Sequence, residues 1–272
     1  AQILEAGAAE IAGVRQPFIA MEFIAGEPLL DYARSRSLDT RERVDLLIRI
    51  CDAIQHAHQR GVIHRDLKPS NILVMPEETA GSTVSPATGA NRSDSSVGPT
   101  TLLRTGGQPK ILDFGIARLA EDNADLTRYQ TNVGQMIGTL AYMSPEQIAG
   151  DPLAVDTRTD VYALGVILFQ LLTDRLPRFG PGTSYVNALR TMHEEPVPRM
   201  TSLNPRIPRD LETIARKALE TDPARRYSSA AELAADLRRF RADEPILARP
   251  PSIGYQFAKF ARRNRALVGG AA

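Results

Sequence analysis

Apolar positions along this chain fall into runs with distinct spacing. Phe18-Ile19-Ala20-Met21-Glu22-Phe23-Ile24 is dense in β-prone residues and closes at Gly26 and Pro28, which predicts a strand. Val44, Leu47, Ile48, Cys51 and Ile54 then recur at steps of three and four, the stripe of a core-facing helix of about twenty residues. Asp39, with Glu42 three residues later, supplies an N-terminal capping box, and Gly61 fits the C′ position. Ile72-Leu73-Val74 and Lys110-Ile111-Leu112 are short strand-like runs. Val161 to Leu172 is nearly all apolar and predicts a buried helix, too short for a membrane. Leu211, Ile214, Ala215, Ala218 and Leu219 form a further stripe, and a last helix opens at the capping box Ser229–Glu232 and carries Leu233, Leu237 and Phe240.

Between the two short strands the pattern vanishes. From Pro76 to Gly107, 19 of 32 residues are Ser, Thr, Gly or Pro, too few apolar groups to offset ordering entropy, so a disordered insertion is expected. Lengthening a turn of about four residues to this size costs only about 2 kcal/mol of closure entropy.

Composition narrows the class. The chain is 43% hydrophobic and 24% charged with net charge +1, ordinary for a globular protein and without a field that draws nucleic acid. Cys51 is the single cysteine, which excludes an internal disulfide framework and a cysteine-built zinc site. The four histidines, at 56, 58, 64 and 193, are too scattered for a metal cage; His56 and His58 face differently on their helix and are expected at the surface or partly buried. His64 is expected to pack in the core. The end of the chain carries Lys259, Arg262, Arg263 and Arg265, read either as a solvated face or as the cytoplasmic flank of a membrane helix beyond residue 272.

The chemistry concentrates in His64-Arg65-Asp66-Leu67-Lys68-Pro69-Ser70-Asn71, Asp113-Phe114-Gly115 and Ser144-Pro145-Glu146. Asp66, Asn71 and Asp113 are oxygen donors of the kind Mg²⁺ prefers. If the strands after Asn71 and before Asp113 pair as a hairpin, both donors meet at its open end and the insertion points away from them. Asp66 and Lys68, two apart in an extended loop, then add a carboxylate for a hydroxyl proton and a cation for a phosphate.

These motifs, in this order, closely resemble the protein-kinase signature set; the Lys68 position and the Pro-Ser that follows resemble serine/threonine kinases, and Gly138-Thr139-Leu-Ala-Tyr-Met-Ser-Pro-Glu146 resembles their bacterial branch. The resemblance runs from about residue 3 to Phe240 and implies an α+β, two-lobed protein-kinase fold. Residues 1–25 are then a remnant of the N-lobe and hinge, 26–243 the helical C-lobe with the 76–107 insertion, and 244–272 a basic linker. It implies transfer of the ATP γ-phosphoryl to Ser or Thr hydroxyls of protein substrates, with ATP and Mg²⁺ as cofactors. Asp66 would deprotonate the hydroxyl, Lys68 stabilise the phosphoryl, and Asn71 and Asp113 hold Mg²⁺. Met21 resembles the gatekeeper, Glu22 and Ile24 offer hinge backbone groups to adenine, Leu73 packs beneath the base, and Glu27 or Asp31 meets the ribose. Asp160 resembles the residue that caps the catalytic-loop backbone, and Glu146 with Arg226 the ion pair anchoring the activation segment. Arg65 suggests activation by a phosphate on Thr127 or Thr131, while Thr139 resembles the residue contacting Asp66 and Lys68.

Two family features do not occur in these residues: no G-x-G-x-x-G is present, and the four lysines, at 68, 110, 217 and 259, all follow the hinge. The expectation is an N-terminally truncated kinase, cytoplasmic or at the cytoplasmic face of a single-pass membrane protein, inactive as residues 1–272 alone. The alternative is a pseudokinase or scaffold that binds without turnover.

Overall fold

Strand and helix boundaries follow the apolar spacing closely in the helical part of the molecule. The computed structural model describes residues 3–11, 14–76, 107–114, 140–180 and 183–249, together with 252, 255, 256 and 259. At the start, β1 (Ile3–Ile11) and β2 (Val14–Met21) pair antiparallel. The strand stops at Met21 and does not reach Ile24 as its composition suggested. Ile24 turns inward, Phe23 is 90% exposed, and the Gly26 amide closes a turn onto the Ile24 carbonyl.

A second sheet of three strands follows, in the order β3 (Glu27–Pro28), β4 (Ile72–Met75), β5 (Gln108–Ile111), all antiparallel. Ile72 and Val74 point into the core, and Leu73 and Met75 lie on the opposite face, half-buried. The two short apolar runs thus form the expected hairpin, with Ile72 opposite Ile111 and Met75 opposite Gln108. Most of the Pro76–Gly107 insertion lies outside the described residues.

The helices form the core. A short helix α1 (Leu29–Ser35), invisible to the spacing argument, starts immediately after Pro28. Next, α2 (Thr40–His58) opens with both arms of the Asp39–Glu42 box in place. It ends one residue earlier than anticipated relative to Gly61, which nevertheless takes the left-handed φ of +75° that favours glycine. After α3 (Pro145–Ile148) comes α4 (Thr157–Thr173), apolar on all sides and therefore central. Around it lie α5 (Tyr185–Glu194), α6 (Met200–Leu203), α7 (Arg209–Ala218) and α8 (Ala230–Arg241). In α8 the N-cap differs from a full box. Ser229 accepts the Glu232 amide, but the Glu232 carboxylate takes the amide of Ser228 instead.

The described residues just beyond 243 do not lie free. Ile246 is buried, and the Leu247 and Ala248 amides donate to the fully buried Asp236 at 2.6 and 2.8 Å. Lys259 is buried too, its Nζ 2.7 Å from Asp210, which corrects the solvated-face reading for this residue. The carboxylate neutralises the ammonium, and the Phe240 and Tyr255 rings, each 5.9 Å away, cover it. Arg262, Arg263 and Arg265 lie outside the described residues. Among the described residues, no helix is long and apolar enough to cross a membrane.

Candidate active site

The loop between α2 and β4 is held from below by one buried carboxylate. Asp160, in the first turn of α4 and fully buried, accepts the His64 amide at 2.8 Å, the Arg65 amide at 2.9 Å and His58 Nε2 at 2.7 Å. Arg65 itself sits at φ +64°, a left-handed conformation that costs a non-glycine residue about 1–2 kcal/mol. The Asp160 bond to its amide and the Gln147 side chain on its carbonyl, 2.6 Å away, hold it there. Its guanidinium-bearing side chain is exposed.

His64 is fully buried, packed in the core as expected. Its Nε2 faces the Leu112 carbonyl at 2.9 Å and its Nδ1 faces the Asp66 amide at 3.4 Å. A carbonyl only accepts, so Nε2 is the ring nitrogen that donates to Leu112. The Phe114 ring packs against it with centroids 4.9 Å apart.

Three candidate residues meet directly above this support. Lys68 Nζ lies 2.9 Å from Asp66 Oδ2, and the Asn71 side-chain amide donates to the Asp66 carbonyl at 2.9 Å and to Oδ2 at 3.3 Å. Both side-chain contacts fall on the same carboxylate oxygen, leaving Oδ1 on the other edge. The Asp66 side chain is 41% exposed, enough for a solvent-borne hydroxyl to reach it. Asp113 is joined to this group through the hairpin, because the Leu112 amide donates to the Asn71 carbonyl at 2.8 Å, one step beyond the last ladder pair. Asp113 also takes a left-handed φ of +54°.

Two oxygen-bearing side chains one step apart suit a hard divalent cation that keeps most of its shell as water and ligand phosphate. Among the described residues no group of three or more His, Cys, Asp or Glu could hold a metal ion. Asn71, through its amide oxygen, and Asp113 are the two side chains that would be available to such a cation.

The hinge candidates form a strip beside the sheet. Met21 ends β2 half-buried, Glu22 is exposed and Ile24 is buried. A Cβ on Gly26 would stand 3.2 Å from Leu73 Cβ, so the chain just past these residues runs against Leu73. Glu27 is engaged elsewhere. Ser35 and Arg36 bond its carboxylate, both at 2.9 Å, and hold it below the usual range, while Asp31, the other ribose candidate, is exposed in the first turn of α1 with Arg34 3.9 Å away.

Farther out, Arg226 grips Glu146 with two bonds of 2.7 Å, and Thr159 adds a third at 2.9 Å. The remaining guanidinium donors go to the Arg158, Glu220 and Thr221 carbonyls. Burial pushes the Glu146 carboxyl up, and Arg226 more than reverses this, leaving it below the ordinary range. Thr127, Thr131 and Thr139 lie outside the described residues.

His58, Gln147 and Thr159 escaped the sequence reading as parts of this support. His58 carried a signal, since it continues the Cys51–Ile54 stripe by a step of four, and its side chain is 4% exposed.

Comparison with known proteins agrees with this architecture. A family model described as "Protein kinase domain" matches residues 14–237. Serine/threonine-protein kinase PknB of Mycobacterium leprae is 33% identical over 244 residues, covering 89% of this chain and 33% of that protein. PknB of Mycobacterium tuberculosis is 34% identical over the same shares. The probable serine/threonine-protein kinase CE0033 of Corynebacterium efficiens is 33% identical, covering 86% of this chain and 31% of its own length. This chain thus spans about a third of the curated relatives it matches. A solved structure of Rad53 1-466 in complex with AMP-PNP superposes with a TM-score of 0.55 at 22% identity, covering 86% of this chain and 49% of that one, and so shares the fold. The chain belongs to the protein kinase domain family and has the α+β protein-kinase fold.

Proposed function

We propose that the protein containing this chain is a serine/threonine protein kinase, in which Asp66 accepts the proton of a Ser or Thr hydroxyl as that oxygen attacks the γ-phosphorus of ATP and the bond from that phosphorus to the β,γ-bridging oxygen breaks, releasing ADP. The observation that carries the reading is the cluster of Lys68 and Asn71 on one oxygen of Asp66, with the Asn71 carbonyl tied to the residue preceding Asp113. Phosphoryl transfer asks a protein mainly for positioning and charge stabilisation, and these groups supply both.

Asp66 orients the hydroxyl through Oδ1 while Lys68 and Asn71 hold Oδ2. Lys68 offsets charge on the transferring group. Asn71 and Asp113 would hold Mg²⁺, which when bound neutralises the phosphates and fixes their geometry. Ile24, the backbone of Glu22, Met21 and Leu73 border the adenine, and Glu146 with Arg226 anchors the segment leading out of the site. Residues 1–272 include no glycine-rich phosphate loop and no lysine before the hinge, so this stretch alone is expected to transfer little phosphate.

The test is Asp66→Asn in the protein expressed from its full reading frame. Transfer of labelled γ-phosphoryl to a protein acceptor should fall by about a hundredfold or more, with binding of a non-hydrolysable ATP analogue retained. Transfer at the parental rate overturns the reading of Asp66. Binding without transfer in the parent protein itself would favour the scaffold alternative.

A further inference from the structure

The β4–β5 hairpin carries Asn71 and Asp113 at its open end, yet residues 77–106 interrupt it at the other. A hairpin is usually closed by its own tight turn. Here three residues outside any turn converge on the point where the chain returns to the sheet. Gly107 is buried, immediately before the last ladder pair of Met75 with Gln108. Its amide donates to Tyr32 Oη at 3.1 Å, and its carbonyl accepts from Arg49 Nη1 at 3.1 Å. Both polar groups of this buried peptide are therefore satisfied by side chains from α1 and α2. The space is fully used, because a Cβ on Gly107 would stand 2.6 Å from the Met75 carbonyl oxygen, 2.6 Å from Tyr32 Oη and 2.7 Å from Val74 Cγ1.

The acceptor is itself braced from the third strand. Tyr32 is 3% exposed, the Arg36 guanidinium lies 4.4 Å over its ring, and Arg36 is held by Glu27, whose backbone pairs with Val74. From the Met75–Gln108 pair beside Gly107 to the Ile72–Ile111 pair is three ladder steps, roughly 10 Å.

We infer that Tyr32, Arg49 and Gly107 form a clasp that closes the β4–β5 hairpin in place of a turn, so that Asn71 and Asp113 keep their spacing whatever residues 77–106 do. Tyr32 and Arg49 are then positioning residues for phosphoryl transfer. The second half of this inference rests on the proposed kinase activity, and the first half does not.

The closing experiment separates the two. In residues 1–272, hydrogen exchange at the Gly107 amide reads the clasp without any activity. Tyr32→Phe, which removes only the hydroxyl, should accelerate it about fivefold or more. Unchanged exchange overturns the clasp. In the full-length protein, Tyr32→Phe combined with Arg49→Gln should raise the Mg²⁺ concentration for half-maximal transfer about tenfold while sparing the rate at saturating Mg²⁺. Arg49→Lys should restore part of the loss. Replacing residues 77–106 by a four-residue Gly/Ser turn should leave the Mg²⁺ requirement at the parental value and shrink the penalty of the double variant to less than about twofold, because the turn then closes the hairpin. An equal penalty in both backgrounds, or none in either, overturns the positioning role. Absence of transfer in the parent protein would indict the kinase reading, and the exchange result would still decide the clasp.

Discussion

His58 Nε2 lies 2.7 Å from Asp160 Oδ2, a side-chain bond between the end of one helix and the start of another 102 residues later. The same carboxylate carries the His64 and Arg65 amides, so His58 shares in fixing the loop that presents Asp66. Neither side chain touches solvent appreciably, at 4% and 0% exposure. His58→Ala removes one of three donors from a buried carboxylate, and a loss of about 1.5–3 kcal/mol is expected in urea unfolding. His58→Gln, which retains an N–H donor, should recover part of it. A loss below about 0.5 kcal/mol would show that the two amides suffice for Asp160.

The Glu146–Arg226 pair makes a sharper prediction. Both side chains are buried, and the guanidinium hydrogen bonds of Arg226 end on the Glu146 carboxylate or on backbone carbonyls. Arg226→Met leaves Glu146 buried without its cation and should cost about 3–5 kcal/mol. Exchanging both residues for apolar ones of similar volume should cost much less than the single change, because no unpaired charge remains. Denaturant midpoints of the two single variants and the double variant give the coupling directly.

Acid should expose the same pair. The folded Glu146 carboxyl lies below its ordinary value of 4.5. A carboxyl depressed in the folded state stabilises that state above its unfolded value, and the contribution is lost as pH falls through the folded one. The stability difference between the parent chain and Glu146→Gln should therefore be flat from about pH 7 to about pH 5 and narrow below about pH 4.5. A gap that widens on acidification would contradict the sign of the shift.

Much of this was legible in the sequence, for physical reasons that also explain the gaps. The stripes of α2 and α7 and the all-apolar α4 declared themselves because burial follows helical period. The hairpin was legible because two short apolar runs flanked a stretch unable to form a core. His58 was discounted on its separation from His56, when its alignment with Cys51 and Ile54 marked it as inward-facing and in need of a partner. The α1 helix, seven residues after a proline, is too short for periodicity to show. The Tyr32 and Arg49 contacts to Gly107 span 75 and 58 residues and have no local signature at all. The same holds for the Asp236 contacts, whose donors read as part of a linker.

Those contacts move the edge of the folded unit past the family match, which stops at 237. Asp236 accepts Tyr227 Oη at 2.9 Å besides the Leu247 and Ala248 amides, and burial pushes the Tyr227 hydroxyl up, with Asp236 acting the same way, so the phenol stays a donor. Ending the chain after Asp243 strips Ile246 from a site where it is 2% exposed and uncovers Phe240. Urea unfolding of residues 1–243 against 1–272 should show a loss of about 2 kcal/mol or more. Equal stability would mean that Ile246, Leu247 and Ala248 rest on the helices without contributing.

Beneath the site, α4 and α7 approach each other closely at Gly165. Gly165 lies in the middle of α4, where glycine ordinarily costs a helix about 1 kcal/mol relative to alanine. On propensity alone Gly165→Ala should therefore stabilise. Packing opposes this, because a Cβ there would stand 2.8 Å from Ala218 Cβ and 3.3 Å from the Ala218 carbonyl carbon at the end of α7. Ala218 is fully buried and Leu219 almost so, leaving neither room to retreat. Overpacking of this kind costs about 1–3 kcal/mol, which outweighs the gain in propensity. Gly165→Ala should be destabilising on balance, and Gly165→Ala with Ala218→Gly should recover most of the loss, since the second change vacates the atom in conflict. A single variant as stable as the parent would show that α7 shifts freely against α4, and the close packing of the two helices would then contribute little to holding Asp160 beneath the loop.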